Sequence, residues 1–153
     1  MNLSPNVEQR IRLLSDDSLD AHSLYRKACH FVSSLVEDPD AEIPGTAQLT
    51  SVELFAEQFH ELTTFVTHQE DRFEDDRRGP FYEQLKGMLR ELEKLATDEF
   101  VSKDASKKER QEQKEFYATL LAREFVRHVV AEAQLEYRKR GNRREGGRDV
   151  SDV

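Results

Sequence analysis

Apolar residues recur along most of the chain at spacings of three and four positions, the period of a helix that is apolar on one face. Five segments show this pattern, and three of them are long. No segment shows the alternation of apolar and polar residues that indicates a β-strand. The pattern therefore predicts an all-α fold, a small bundle of about five helices.

The first two predicted helices precede an acidic loop. One begins with Ser4 as its N-cap and Pro5 in its first turn, and its apolar face is Val7, Ile11 and Leu14. The other covers about residues 20–36, with an apolar face of Leu24, Ala28, Phe31 and Leu35. Residues 37–48, EDPDAEIPGTAQ, hold two prolines and a glycine, which predict a loop.

The third predicted helix has the clearest start signal in the chain. Thr50 and Glu53 have the spacing of a capping box, in which each side chain satisfies a backbone N–H group of the first turn. An apolar stripe then continues to the pair Gly79 and Pro80, where this helix is expected to end and a fourth to begin. The stripe is Val52, Phe55, Phe59, Leu62, Val66 and Phe73, and the fourth helix carries Phe81, Leu85, Met88, Leu89, Leu92 and Leu95.

The fifth and longest predicted helix follows a polar loop at residues 102–106. It runs from about Lys107 to Arg140, and Gly141 is expected to close it. Its apolar face includes Phe116, Tyr117, Leu120, Leu121, Phe125, Val129 and Ala133. Residues 142–153 lack apolar periodicity, so residues 1–141 are predicted to form one helical domain and residues 142–153 a disordered basic and polar tail.

Composition narrows the class of protein. The chain has 153 residues, of which 37% are hydrophobic and 35% charged. No apolar run approaches the roughly 20 residues of a membrane span, and the N-terminus lacks the features of a signal peptide, so a cytoplasmic protein without membrane contact is expected. The single cysteine, Cys29, excludes a disulfide framework and a cysteine-based zinc site.

The net charge of −8 is unevenly distributed. Residues 1–76 hold 5 Lys and Arg against 16 Asp and Glu, whereas residues 77–153 hold 18 against 15. An acidic front half and a basic back half are typical of surfaces with different partners, or of contact between copies of one chain. Ordinary solvated helix faces would have the same composition.

Catalytic and metal-binding patterns are sparse. Glu57 and His60 form one Glu-x-x-His motif, whereas a helical di-metal site needs two. Cys29 and His30 are adjacent and therefore point apart on a helix, so no nucleophile arrangement is predicted. We expect a protein that is not an enzyme and has no metal and no cofactor.

Two charged features are candidates for binding. The acidic run of residues 70–76, EDRFEDD, lacks the glycine turn and ligand spacing of a calcium loop, and it is interpreted as a solvated face or a docking surface. Basic residues recur every four positions on the fourth and fifth helices, a spacing that can follow a nucleic-acid backbone, although ordinary ion pairing within helices explains it equally well. The predicted RNA-backbone site consists of Lys86, Arg90, Arg123, Arg127 and Arg138.

Two stretches of the chain resemble the small helical subunit of type III-A (Csm) CRISPR interference complexes. Residues 49–57, LTSVELFAE, are similar to the family's "LTTSQLRKFY" opening, and residues 124–141 are similar to its "F…EA…AYH-K…G" ending. The resemblance covers about residues 20–141. The family's middle aromatic–Gly–Arg element has no counterpart beyond residues 85–93.

The resemblance implies a non-catalytic subunit of an RNA-guided antiviral ribonucleoprotein complex. Such a subunit is present in several copies that stack head to tail beside other protein subunits, and it lines the guide–target RNA duplex through sequence-independent backbone contacts. The alternative is a helical adaptor or chaperone that docks a protein partner on its acidic surface. A metal-dependent helical enzyme is a third possibility.

Overall fold

A computed structural model describes residues 5–16 and 23–151, with side chains as far as Gly141. All regular structure in these ranges is helical, which confirms the predicted all-α class, but there are six helices rather than about five. They are α1 (Pro5–Asp16), α2 (Leu24–Glu37), α3 (Thr46–Phe55), α4 (Phe59–Arg72), α5 (Gly79–Phe100) and α6 (Lys107–Ser151). None of these six has a segment that is both long and apolar enough to span a bilayer.

The two N-terminal helices agree with their predicted faces. Pro5 opens α1, and Ile11 and Leu14 are buried on its inner side. The proposed cap Ser4 and the proposed start of the second helix near Asp20 lie outside the described residues. In the described part α2 begins at Leu24, because the side chain of Ser23 accepts a hydrogen bond from the Arg26 N–H at 3.3 Å.

The predicted third helix is two helices, and its predicted start is wrong. α3 begins at Thr46, inside the segment expected to be a loop, and Gly45 occupies the cap position. Thr50 therefore lies within the helix, where its hydroxyl donates to the carbonyl oxygen of Thr46 at 2.9 Å instead of capping.

The break between α3 and α4 depends on side chains of α6. The backbone N–H of Phe59 donates to Thr119 Oγ1 and that of His60 to Glu115 Oε1, both at 3.0 Å. These bonds satisfy N–H groups that a new helix leaves without partners. The apolar stripe is continuous in sequence, but the helix restarts because α6 supplies the caps.

A helix begins at Gly79 and Pro80, as predicted. The preceding helix does not end there, as was expected, but several residues earlier. α4 ends at Arg72, and the turn of residues 73–78 separates it from α5. A Cβ atom at Gly79 would overlap the carbonyl oxygen of Phe73, so glycine is required where the turn passes this close.

Helix α6 is the centre of the bundle and contacts each of the other five helices. Its buried residues are Ala118, Leu121, Ala122, Phe125, Val126, Val129, Val130 and Ala133. The backbone stays helical through Gly141 to Ser151, so the predicted end at Gly141 is wrong. The side chains of residues 142–151 and the whole of residues 152–153 lie outside the described part, and the proposed tail remains a prediction.

The aromatic ring of Phe31 connects three helices in the core. Its ring meets those of Phe81 on α5 and Phe125 on α6 edge-on, with centroid distances of 5.5 and 5.8 Å. All six helices contribute residues to one hydrophobic cluster around these rings. The bundle therefore holds its surface loops and helix ends in defined positions.

Candidate docking and nucleic-acid-binding surfaces

The structure separates the basic residues predicted to bind RNA. On α5, Lys86 is half-buried, with its Nζ atom 3.8 Å from Glu70 Oε2 of α4. Arg90, one turn further on, is exposed and forms no ion pair with any described residue. The two residues share a helix, but only Arg90 presents an unpaired charge to solvent.

The two arginines at the middle of α6 are engaged by carboxylates. Arg123 lies 3.9 Å from Glu57 in the α3–α4 turn, and Arg127 lies 2.5 Å from Glu124 and 3.8 Å from Asp16. Arg123 and Arg127 line the same small pocket of about 160 Å³. The structure thus brings Arg123 and Arg127 together. Their partners belong to the α3–α4 turn, α6 and α1, whereas the partner of Lys86 belongs to α4.

Arg138 lies near the point where α6 leaves the bundle. It is exposed and forms no ion pair with the described residues. Of the five predicted RNA-contacting residues, Arg90 and Arg138 have no ion-pair partner among the described side chains, whereas the other three are paired.

The acidic run forms one side of a groove of about 510 Å³. The groove lies where α4 ends and α5 begins, and the α2–α3 loop completes it. Seven carboxylate residues and one basic residue are among its lining: Asp40, Glu70, Asp71, Glu74, Asp75, Asp76 and Glu83, with Arg77. The sequence predicted the acidic surface but neither its concave shape nor the contribution of Asp40.

The backbone of the 73–78 turn brings Asp40 to this groove. The N–H of Glu42 donates to the carbonyl oxygen of Arg77 at 2.7 Å. The guanidinium of Arg77 donates in return to the carbonyl oxygens of Pro39 at 3.0 Å and Ala41 at 3.4 Å. These bonds hold the α2–α3 loop against the turn, so an acidic residue 30 positions upstream of the run joins it.

One groove carboxylate is firmly paired. Arg78 donates to Asp76 through its backbone N–H, Nε and Nη2, each at 2.9 Å. The side-chain hydrogen bond is the main cause that holds the pKa of Asp76 well below its usual range. Asp76 therefore stays ionised at acidic pH, although the positive charge of Arg78 offsets much of its negative potential in the groove.

Most of the remaining carboxylates form no ion pair in the described part of the chain, although Arg77 lines the same groove. Among the described residues, no ion pair involves Asp40, Asp71, Glu74, Asp75 or Glu83. Like charges within one groove repel each other. The negative dipole end of α4 and the positive dipole end of α5 meet in this groove and oppose each other, so the side-chain carboxylates dominate its field. The groove is therefore an electrostatic site for a cationic group or a cationic segment.

The structure gives these carboxylates no metal-binding geometry. In the described part of the chain, no three His, Cys, Asp or Glu residues are grouped closely enough to hold a metal ion. Glu57 of the Glu-x-x-His motif pairs with Arg123, and His60 lies exposed in the first turn of α4. Glu57 precedes the start of α4 and His60 follows it, and both line one pocket.

A polar cluster that the sequence did not indicate connects α1 to α6. The Ser15 hydroxyl donates to Glu124 Oε2 at 2.8 Å, and its oxygen lies 2.9 Å from His128 Nε2. Ser15 is only 1% exposed, so its oxygen is not accessible to a substrate as that of a nucleophile must be. The cluster is a structural link, and no local signal connects residues 109 positions apart.

Comparison with known proteins finds no family model, no curated protein and no solved structure that matches this chain. The resemblance to the type III-A small subunit therefore rests on residues 49–57 and 124–141 alone. Its functional implications stay predictions.

Proposed function

We propose that this chain is a non-catalytic, cytoplasmic helical protein whose acidic groove binds a short basic segment of a protein partner. The observation that supports the proposal is a concave groove of about 510 Å³ with five carboxylates that no described cation pairs. This is the adaptor function that the acidic run predicts.

The size and charge of the groove favour one kind of ligand. A volume of about 510 Å³ accommodates a few lysine or arginine side chains, not a folded domain. Exposed charges of one sign also attract an oppositely charged segment over distances of about 10 Å at low salt, which increases the association rate. Binding should therefore be salt-sensitive and tolerant of the exact order of the basic residues.

A short oligolysine peptide with a fluorescent label tests this proposal. We expect binding at low salt, about 0.05 M, and most of it lost at about 0.5 M. The double variant Glu74→Gln with Asp75→Asn should weaken binding about fivefold or more, because it removes two unpaired charges from the groove.

The matched control is Glu91→Gln with Asp98→Asn, which makes the same change in net charge at exposed positions of α5 outside the groove. It should leave peptide affinity nearly unchanged. Equal losses in both variants would show that the peptide responds only to the net charge of the protein, and the proposed site would be wrong.

The duplex-lining subunit of a type III-like complex is the second candidate, and the free charges of Arg90 and Arg138 favour it. Phosphate contacts carry no sequence information, so single-stranded RNAs of equal length should bind alike whatever their sequence. Arg90→Gln with Arg138→Gln should reduce the log–log salt slope by about 1.4, at about 0.7 per phosphate.

Lys107→Gln with Lys108→Gln is the control for that measurement, since both lysines are exposed at the opposite end of α6. Arg123→Glu with Arg127→Glu adds a test inside an assembled complex, where target-RNA binding should weaken while helicity is kept. If the salt slope is unchanged in every variant, these basic residues do not contact RNA and are ordinary solvated positions on helix surfaces.

A further inference from the structure

The C-terminal part of α6 extends beyond the bundle. Among the side chains that the structure describes, Ala133 is the last buried one on this helix, and residues 138–141 are all exposed. The backbone continues as a helix to Ser151, which at 1.5 Å per residue places its end about 27 Å beyond Ala133. We call residues 134–151 of α6 the projecting segment.

The projecting segment is basic. Arg138, Lys139 and Arg140 are consecutive, and the sequence adds Arg143, Arg144 and Arg148 against fewer acidic residues. Lys139 is 3.6 Å from Glu136 on the same helix, while Arg138 and Arg140 form no ion pair with described residues. A projecting helix with free positive charge is a ligand for an acidic surface.

The projecting segment and the acidic groove lie at the same end of the molecule. The hydroxyl of Tyr137 lies 2.6 Å from the carbonyl oxygen of Ile43 and 2.7 Å from that of Pro44. Those residues belong to the α2–α3 loop, which also places Asp40 in the groove. Tyr137 therefore holds the base of the basic helix beside the loop that borders the acidic groove.

We propose that two copies of this chain form a two-fold dimer, in which each copy places the basic side chains at residues 138–140 of its projecting segment in the acidic groove of the other. The proposal rests on the proposed function, because it names the partner of the same groove. The basic residues 138–140 complement the carboxylates of the groove in charge. Because a continuous helix cannot turn back into the groove of its own molecule, these residues must come from a second copy.

The shared location of the two surfaces favours two-fold symmetry. When donor and acceptor surfaces lie at one end, a single two-fold rotation pairs both at once and leaves neither free. The head-to-tail stacking that the sequence led us to expect would require the two surfaces at opposite ends, and it would continue into an open chain. The dimer is therefore closed.

Sedimentation velocity of the full chain tests the closed dimer. We expect a species of two chains at about 0.05 M salt that does not grow with concentration and dissociates at about 0.5 M. The helix variant Arg138→Glu with Arg140→Glu and the groove variant Glu74→Lys with Asp75→Lys should each weaken the dimer about tenfold or more.

Mixing the two variants provides the sharpest test. In a mixed pair, the acidic helix of the first variant faces the basic groove of the second, and the natural basic helix of the second faces the natural acidic groove of the first. An equimolar mixture should therefore restore a one-to-one dimer. The control Lys107→Glu with Lys108→Glu, at the far end of α6, should dimerise like the natural chain. Circular dichroism of each variant checks that helicity is kept.

Three results would overturn the inference: a natural chain that stays monomeric at low salt, a species that grows beyond two chains, or a dimer that both reversals leave intact. A monomer that still binds oligolysine through the groove would overturn the dimer alone. A monomer that also fails to bind the peptide would overturn the proposed function as well.

Discussion

Tyr137 shows how one hydrogen bond at the residue scale positions a surface. Its hydroxyl reaches two carbonyl oxygens of the α2–α3 loop, and burial raises the pKa of this hydroxyl. Tyr137→Phe leaves the ring and deletes the hydrogen bond, so the free energy of unfolding should fall by about 1 kcal/mol in urea titrations. Tyr117→Phe, whose ring stacks on Phe100, is the control and should change stability less.

Asp76 predicts a pH dependence. Its folded pKa lies below its unfolded value of about 3.9, so the ionised carboxylate stabilises the fold above that pH, and the contribution is lost as pH falls. Asp76→Asn should therefore differ most from the natural chain near neutral pH, and the difference should shrink below about pH 4. Urea unfolding over a pH series measures it. If the difference in the free energy of unfolding stays constant down to low pH, its cause is not the charge of Asp76.

At the scale of helices, the start of α4 is made by α6. Thr119→Val keeps the side-chain shape but leaves the N–H of Phe59 without its acceptor, so stability should fall by about 1–2 kcal/mol. Thr64→Val is the matched control, because that exposed hydroxyl bonds only to a carbonyl of its own helix, and it should cost less than about 0.5 kcal/mol. Equal losses would show that α4 does not depend on this cap.

The start of α5 depends on a glycine with no room for a side chain. Gly79→Ala would force a Cβ against the carbonyl oxygen of Phe73, and the required backbone shift should cost about 1–3 kcal/mol. Gly87, in the middle of the same helix, has open space around its Cβ position. Gly87→Ala should therefore stabilise the protein by about 0.5–1 kcal/mol, and thermal unfolding should show opposite shifts for the two variants.

At the scale of the whole molecule, the bundle should unfold as one unit. Phe31 is only 4% exposed and contacts rings of α5 and α6, so Phe31→Ala should lower stability by about 3–5 kcal/mol while unfolding remains a single transition. Phe55→Ala is the control, because that ring is 39% exposed and stacks on Phe65 alone, and it should cost about 1 kcal/mol. Two separate transitions would show that α6 does not unite the helices.

Local sequence predicts where the charged residues cluster, but it does not predict which of their charges stay unpaired. The acidic run at residues 70–76 is visible in the sequence because five of its seven positions are acidic. The basic ladder was also visible, but the loss of free charge at Lys86 and Arg123 was not, since their partners Glu70 and Glu57 lie on other elements. A charge is available to a ligand only when tertiary contacts leave it unpaired.

The sequence by itself determined the all-α class and most of the inner faces of the helices, because burial on one side of a helix requires apolar residues at a period of 3.6. Phe55 of the predicted stripe is an exception, since it is 39% exposed. Leu85, Leu89 and Leu92 are buried as their spacing predicts. Only the tertiary structure decided that the apolar stripe would break at Phe59, that Asp40 would join the acidic groove, and that α6 would continue through Gly141. Helix periodicity is a property of neighbouring residues, whereas caps and grooves depend on contacts between residues far apart in the chain, which periodicity does not encode.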